Sequence, residues 1–251
     1  MAGVVEEIRC SNCGAPLTFK PGEIVVTCRY CGFTVVISTR EAFILEHSLI
    51  INKYDELEVD GILRSWMSSG FLKPRGLAGK AKIIEKELEY LPFWIVPISA
   101  STHYKGIFER ITPSIIKEGS INKSYNWLIL GRKASKFPTR EYQIPIEGKI
   151  PFDFRQIDRN AKVLNSELSE REVIDEAKQE VEAHHKFLAS QDVDRLIEFK
   201  TDYELGKAVY VHAPIWFIVY EYKKKYYNLV LDGATGQVIK GDIPPMDFGL
   251  F

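Results

Sequence analysis

No stretch of the 251-residue chain approaches the roughly 18–20 apolar residues that a bilayer-crossing helix needs. Neither sign of charge is in excess, with 33 Lys and Arg against 34 Asp and Glu, so a polycation that coats nucleic acid along its length is excluded. The opening Met-Ala-Gly-Val-Val-Glu-Glu lacks the basic flank and the apolar stretch of a secretory signal. Glutamine is scarce at five residues and methionine at three, a usage that leans towards thermophiles. Cysteine is absent after residue 31. No disulfide framework can therefore staple the rest of the chain, which has no thiol to act as a nucleophile. These absences point to a soluble, cytoplasmic chain without a membrane partner. At 45% hydrophobic it has enough apolar content for a core.

The cysteines that are present sit together. Cys10-Ser-Asn-Cys13 and Cys28-Arg-Tyr-Cys31 are two C-x2-C pairs with fourteen residues between them. Each pair makes a tight knuckle whose two sulfurs reach one tetrahedral zinc at about 2.3 Å. Gly14 and Gly32 follow the second cysteine of each pair, where the turning backbone favours a residue tolerant of positive φ. Residues 17–19, 23–27 and 33–37 read as short strands around a Pro21-Gly22 turn. Two disulfides would need an oxidising compartment, and a catalytic zinc would need an open ligand position that four thiolates do not leave. The expectation is one structural Zn2+ held by Cys10, Cys13, Cys28 and Cys31.

Beyond the cysteines, two stretches repeat an order of signals. In the first, strand residues 43–45 and 48–51 precede a helix with Ile62, Leu63, Trp66 and Met67 on one side and Gly70 as its stop. A strand over 87–96 then carries Pro92-Phe93-Trp94. In the second, a strand near 141–146 precedes a helix opened by the capping box Ser169-Glu170-Arg171-Glu172. That helix carries Val173, Ala177, Val181, His184 and Leu188 near one stripe, and a strand over 208–219 brings Pro214-Ile215-Trp216. A hairpin closes the chain, with residues 226–231 turning through Asp232-Gly233-Ala234-Thr235-Gly236 into 237–239. The fold expected is α+β: an N-terminal four-Cys zinc ribbon over 1–40 and two related antiparallel sheet-and-helix units, over 41–140 and 141–251.

The cysteine segment resembles the zinc ribbons of transcription factor B, of ribosomal proteins and of archaeal and bacterial adaptor proteins. The whole chain is similar to a family of largely uncharacterised archaeal and bacterial zinc-ribbon proteins. Its marks here are the mid-chain Pro92/Trp94 and the final series Pro214, Trp216, Tyr220, Tyr222, Lys225, Tyr227, Asp232, Gly233, Thr235, Gly236 and Val238. That final series also resembles the terminal hairpin of PepSY-type domains. The resemblance implies an architecture and brings no activity with it.

Chemistry for an enzyme is hard to assemble. Gly76-Leu77-Ala78-Gly79-Lys80 imitates a phosphate loop, but Pro74 stands at the first glycine position and Ala81 replaces the hydroxyl that anchors magnesium. It reads as a basic turn leading into a strand. Asp247-Phe248-Gly249 has no kinase catalytic loop to partner it. Of the five histidines, His184 and His185 point about 100° apart on a helix and cannot easily share one metal. Trp66, Trp94, Trp127 and Trp216 fit a core better than a stacking platform. No enzyme and no small-molecule substrate are expected.

Charge is segregated along the chain. Residues 71–140 hold thirteen Lys and Arg against five acids, and residues 152–204 hold fourteen acids against eight bases. Lys73, Arg75, Lys80, Lys82, Arg132, Lys133 and Lys136, with aromatics nearby, fit a surface for a phosphate backbone. With no helix-turn-helix signal, RNA or the ribosome is the expected partner. A protein–protein adaptor, docking through the ribbon and sheet edges, is the other reading.

Overall fold

The structure, a computed structural model, describes residues 8–9, 16–17, 25–27, 34–36, 47–133 and 137–246. Four short strands come first: β1 (Ile8–Arg9), β2 (Pro16–Leu17), β3 (Val25–Thr27) and β4 (Thr34–Val36). Then follow β5 (His47–Ile50), helix α1 (Glu56–Ser68), the single turn α2 (Leu77–Lys80) and the long strands β6 (Lys82–Phe108) and β7 (Ile115–Leu130). The chain continues through β8 (Lys149–Pro151), β9 (Lys162–Val163) and helix α3 (Glu170–Ala189). Strands β10 (Arg195–Leu205), β11 (Val209–Tyr222), β12 (Lys225–Asp232) and β13 (Val238–Gly241) complete it. The class is α+β with mixed strand pairing, since β9 runs parallel to β6.

Two compact units interleave along the chain instead of following one another. The first takes Met1–Pro92, Ala134–Ser166 and Val211–Phe251; the second takes Phe93–Lys133 and Glu167–Tyr210.

In the first unit the strand order is β6, β11, β12, β13, and β5 pairs with β11 and β8. Helix α1 starts at a capping box: the Asp55 carboxylate accepts from the N–H groups of Leu57 and Glu58, and Glu58 accepts from the Asp55 N–H. Its stripe Val59, Leu63 and Met67 is buried at four-residue spacing. Val59 and Leu63 pack with Leu88, Tyr90, Trp216, Ile218, Leu229 and Leu231. Gly70, at φ +88°, lies just past the helix where the sequence places its stop. Between β12 and β13 the buried Asp232 carboxylate accepts from the Ala234 N–H at 2.8 Å and the Thr235 hydroxyl at 2.9 Å. Gly236 supplies the positive φ of that turn, +72°. This is the physical content of the Asp-Gly-x-Thr-Gly pattern.

In the second unit β6 lies between β7 and β10, antiparallel to both. Helix α3 begins at Ser169, whose hydroxyl accepts from the Glu172 N–H while Glu172 accepts from the Ser169 N–H. Its buried residues are Val173, Ala177, Val181, His185 and Ala189. The expected stripe ran through His184 and Leu188; both are only half-buried, because the buried face advances by four residues at each step.

The Pro-x-Trp pairs hold matching registers. Phe93 is the first residue of the β6–β7 ladder, and Trp94 pairs with Ile129. Ile215 is the first residue of the β11–β12 ladder, and Trp216 pairs with Leu231. Both indoles are buried. One expectation is corrected. The strand expected near 141–146 is replaced by 3-10 turns at Thr139–Glu141 and Ile146–Gly148, and the strand starts only at Lys149. Pro138 and Pro145 precede those turns and have no N–H to give to a ladder.

Candidate functional site

Cys10, Cys13, Cys28 and Cys31 lie outside the described residues, but the strands around them do not. β1 and β2 pair antiparallel and close with Arg9 opposite Pro16; β3 and β4 close with Thr27 opposite Thr34. Six residues separate the partners of each closing pair, with cysteines first and fourth and glycine fifth in both. Two hairpins thus bracket the two C-x2-C pairs in the same way. Among the described residues no group of three or more His, Cys, Asp or Glu is placed to hold a metal.

The cations of the expected RNA surface fall into different environments. Arg132 forms an ion pair with Glu167 at 3.0 Å, and Lys133 one with Glu172 at 3.2 Å. The Glu172 carboxyl is held down at about 2, first by the Ser169 N–H and hydroxyl and then by Lys133. At the other end of the β6–β7 hairpin, Lys105 pairs with Glu118, Arg110 with Asp194 and Lys117 with Asp192, each at 2.8 Å. The aromatics of the second unit are tied inward as well. Tyr104 donates to Asp192 at 3.2 Å, and the Trp127 indole N–H donates to Glu180 at 2.7 Å.

The first unit differs. Lys73 donates to the Trp66 carbonyl and sits 3.6 Å above the Trp66 ring, so it serves as the cation at the C-terminus of α1. Burial lowers its pKa. Arg75, Lys80 and Lys82 are exposed. The turn α2 that carries Lys80 is held to α1 by Arg64, which donates to the carbonyls of Ala78 and Ala81. Lys136 lies outside the described residues.

Two histidine networks are buried. In the first unit, His212 Nε2–H donates to the Leu164 carbonyl at 2.8 Å, which leaves Nδ1 as an acceptor; His47 Nε2–H donates to it at 2.6 Å. Phe152 stacks on His47 with ring centroids 3.9 Å apart. Both imidazoles are neutral: burial, with His212 nearby, lowers His47 to about 3, and burial lowers His212 to about 4. In the second unit, His185 lies between the Thr102 hydroxyl at 2.7 Å and the Tyr125 hydroxyl at 2.8 Å, and Thr102 reaches Thr201 at 2.7 Å. These chains satisfy buried polar groups, and His185, His212 and Thr102 are fully enclosed.

Lys223-Lys224-Lys225 is a further run of cations, of which only Lys225 figures among the marks of the family resemblance. They stand at the tip of the β11–β12 hairpin, where Tyr222 pairs with Lys225 around a two-residue loop. The available signal was a run of cations in the short gap between two alternating apolar segments. Tyr222 packs in one cluster with Leu77 and Ala81, which brings this tip to the segment of Lys80 and Lys82. Comparison with protein-family models, with curated proteins and with solved structures finds no match.

Proposed function

We propose that this is a non-enzymatic, cytoplasmic zinc-ribbon protein that binds RNA, in the manner of a ribosome- or translation-associated factor. Cys10, Cys13, Cys28 and Cys31 would hold one Zn2+. Four thiolates fill its tetrahedral shell, so its chemistry there is to cross-link two small hairpins, with no position left to activate water. The observation that carries the RNA reading is the contrast between the cations. Those of the second unit named above are neutralised by acids, whereas Arg75, Lys80 and Lys82 are exposed and make no ion pair with a described residue. Unpaired cations on ordered backbone suit successive phosphates.

The test is charge reversal at Arg75→Glu with Lys80→Glu. Lys73 is avoided because its ammonium closes α1. Affinity for a labelled RNA is expected to fall about tenfold or more, with the log–log salt slope shallower by roughly 0.7 per lost contact on single strands. Stability should hardly move, since exposed charges contribute only about 0–1 kcal/mol. Unchanged binding and an unchanged salt slope would refute the reading.

The adaptor reading has one observation of its own. Arg132 and Lys133 are engaged by Glu167 and Glu172. The charge split within the second unit is thereby spent internally, which favours docking through other surfaces. Association that survives both nuclease and high salt would select it.

We also infer that the two Pro-x-Trp hairpins are copies of one unit. The support is their shared register. Each is covered by a helix, β11–β12 by α1 and β6–β7 by α3.

A further inference from the structure

We infer that the tip of the β11–β12 hairpin completes the RNA site: Lys224 and Lys225 join Arg75, Lys80 and Lys82 in one cationic face for a single-stranded phosphate backbone, with Phe71 offered to an unpaired base. This rests on the RNA reading above and names the class of RNA and the second wall of the site.

Placement is the first support. Ala81 and Tyr222 share a buried cluster with Leu77, so the residues flanking them emerge at the same end of the first unit. Lys225 is the cross-strand partner of Tyr222 and shares its face, the one against which α2 packs. On β6, Lys86 reaches α1 through Asp60 at 2.8 Å, and Lys82, four residues earlier, keeps the same side of the strand.

The backbone is the second. Lys223 and Lys224 hold φ values of +51° and +62°, a region costly for a residue with a Cβ. A two-residue hairpin loop of this type favours Asn-Gly. Two lysines there give up turn stability and keep two cations at an exposed tip, and conformational strain of this kind concentrates at functional positions.

Chemistry is the third. Lys224, Lys225, Arg75, Lys80 and Lys82 make no ion pair with a described residue. Phe71 is 93% exposed, four residues before Arg75 on the loop that leads into α2. Cations on ordered backbone beside a bare aromatic ring are what a single strand needs: charge for its phosphates and a flat apolar face for a splayed base.

The test uses the full chain and a fluorescein-labelled oligouridylate 20-mer read by anisotropy. Lys223→Asn with Lys224→Gly should relax the turn and raise the thermal midpoint by about 2–4 °C. The same variant should bind about fivefold more weakly, with a salt slope shallower by roughly 0.7 per lost contact. Because it gains stability, weaker binding cannot be put down to unfolding. Phe71→Ala should also weaken binding by about fivefold or more while leaving the salt slope in place. If the hairpin variant binds as the parent does while Arg75→Glu with Lys80→Glu weakens binding, this inference falls and the RNA reading stands. If neither variant weakens binding, both fall. Capture on phosphatidylserine vesicles without binding to the oligonucleotide would also overturn it, assigning the same cations and Phe71 to a lipid surface.

Discussion

Acidification is expected to unfold the first unit through its histidine pair. His212 is buried and His47 half-buried; both are neutral, joined at 2.6 Å, with His212 anchored on the Leu164 carbonyl. In the unfolded chain each titrates near 6.5; in the fold His47 is lowered to about 3 and His212 to about 4. A depressed folded pKa means that the unfolded state binds more protons below 6.5. The stabilisation is therefore complete above pH 6.5 and is lost as pH falls towards the folded values. Each histidine contributes a slope of up to about 1.4 kcal/mol per pH unit. By pH 4.5 the pair would have lost on the order of 5 kcal/mol, which is comparable to the whole stability of many domains.

The sequence of causes matters for the assay. Glu172, whose carboxyl is held at about 2, weakens the fold only below its ordinary range, near pH 4.5 and lower. Urea titrations between pH 7.5 and 4.7, read by tryptophan fluorescence, stay above the range in which Glu172 weakens the fold, and the carboxyls that burial raises, Asp232 and Glu176, act with the opposite sign to the histidines. His185 is also lowered by burial and adds to the slope in the second unit. His212→Leu should cost about 1–3 kcal/mol at pH 7, because Leu164 loses its donor, yet roughly halve the pair's contribution to the acid slope. Stability that is flat from pH 7 to 5, or a slope unchanged in His212→Leu, would refute the neutral-pair account.

Two further outcomes are expected. Elemental analysis should find one zinc per chain, and Cys28→Ser should lose it while the near-ultraviolet signal of Trp66, Trp94, Trp127 and Trp216 persists; no zinc, or a disulfide at any of the four cysteines, would refute the ribbon. Gly106→Ala should destabilise by about 1–3 kcal/mol, because its Cβ would meet Val193 at 2.5 Å and the Arg195 carbonyl oxygen, which is backbone, at 2.8 Å. A urea midpoint equal to the parent's would show that this approach is looser than described.

The parts of the fold legible in the sequence are those whose determinants are local. Helix α3 was readable because Ser169 and Glu172 cap each other within one turn. The last turn was readable because Asp232, Thr235 and Gly236 build it from their own side chains and backbone. The strand expected at 141–146 is absent for an equally local reason: Pro138 and Pro145 open turns that override the alternation of Tyr142, Ile144 and Ile146. What the sequence could not show is decided between distant segments. Hydrophobic periodicity says that α1 and α3 each need an apolar surface, but it does not say which one. Here α1 covers the β11–β12 hairpin and α3 covers β6–β7, so each helix serves the Pro-x-Trp strand of the other stretch.

The same limit governs the candidate site. A count of lysines and arginines along 71–140 treats all of them alike, because the acids that meet Arg132 and Lys133 come from 167 and 172, more than thirty residues away. Lys73 looks like a surface cation until Trp66 is seen beneath it. Lys224 and Lys225 lie outside the basic stretch, and only the packing of Tyr222 beside Ala81 brings them to the segment of Lys80 and Lys82. Charge bias in a sequence measures how many cations there are; the fold decides which ones remain without an acid, and a phosphate backbone can be held only by those.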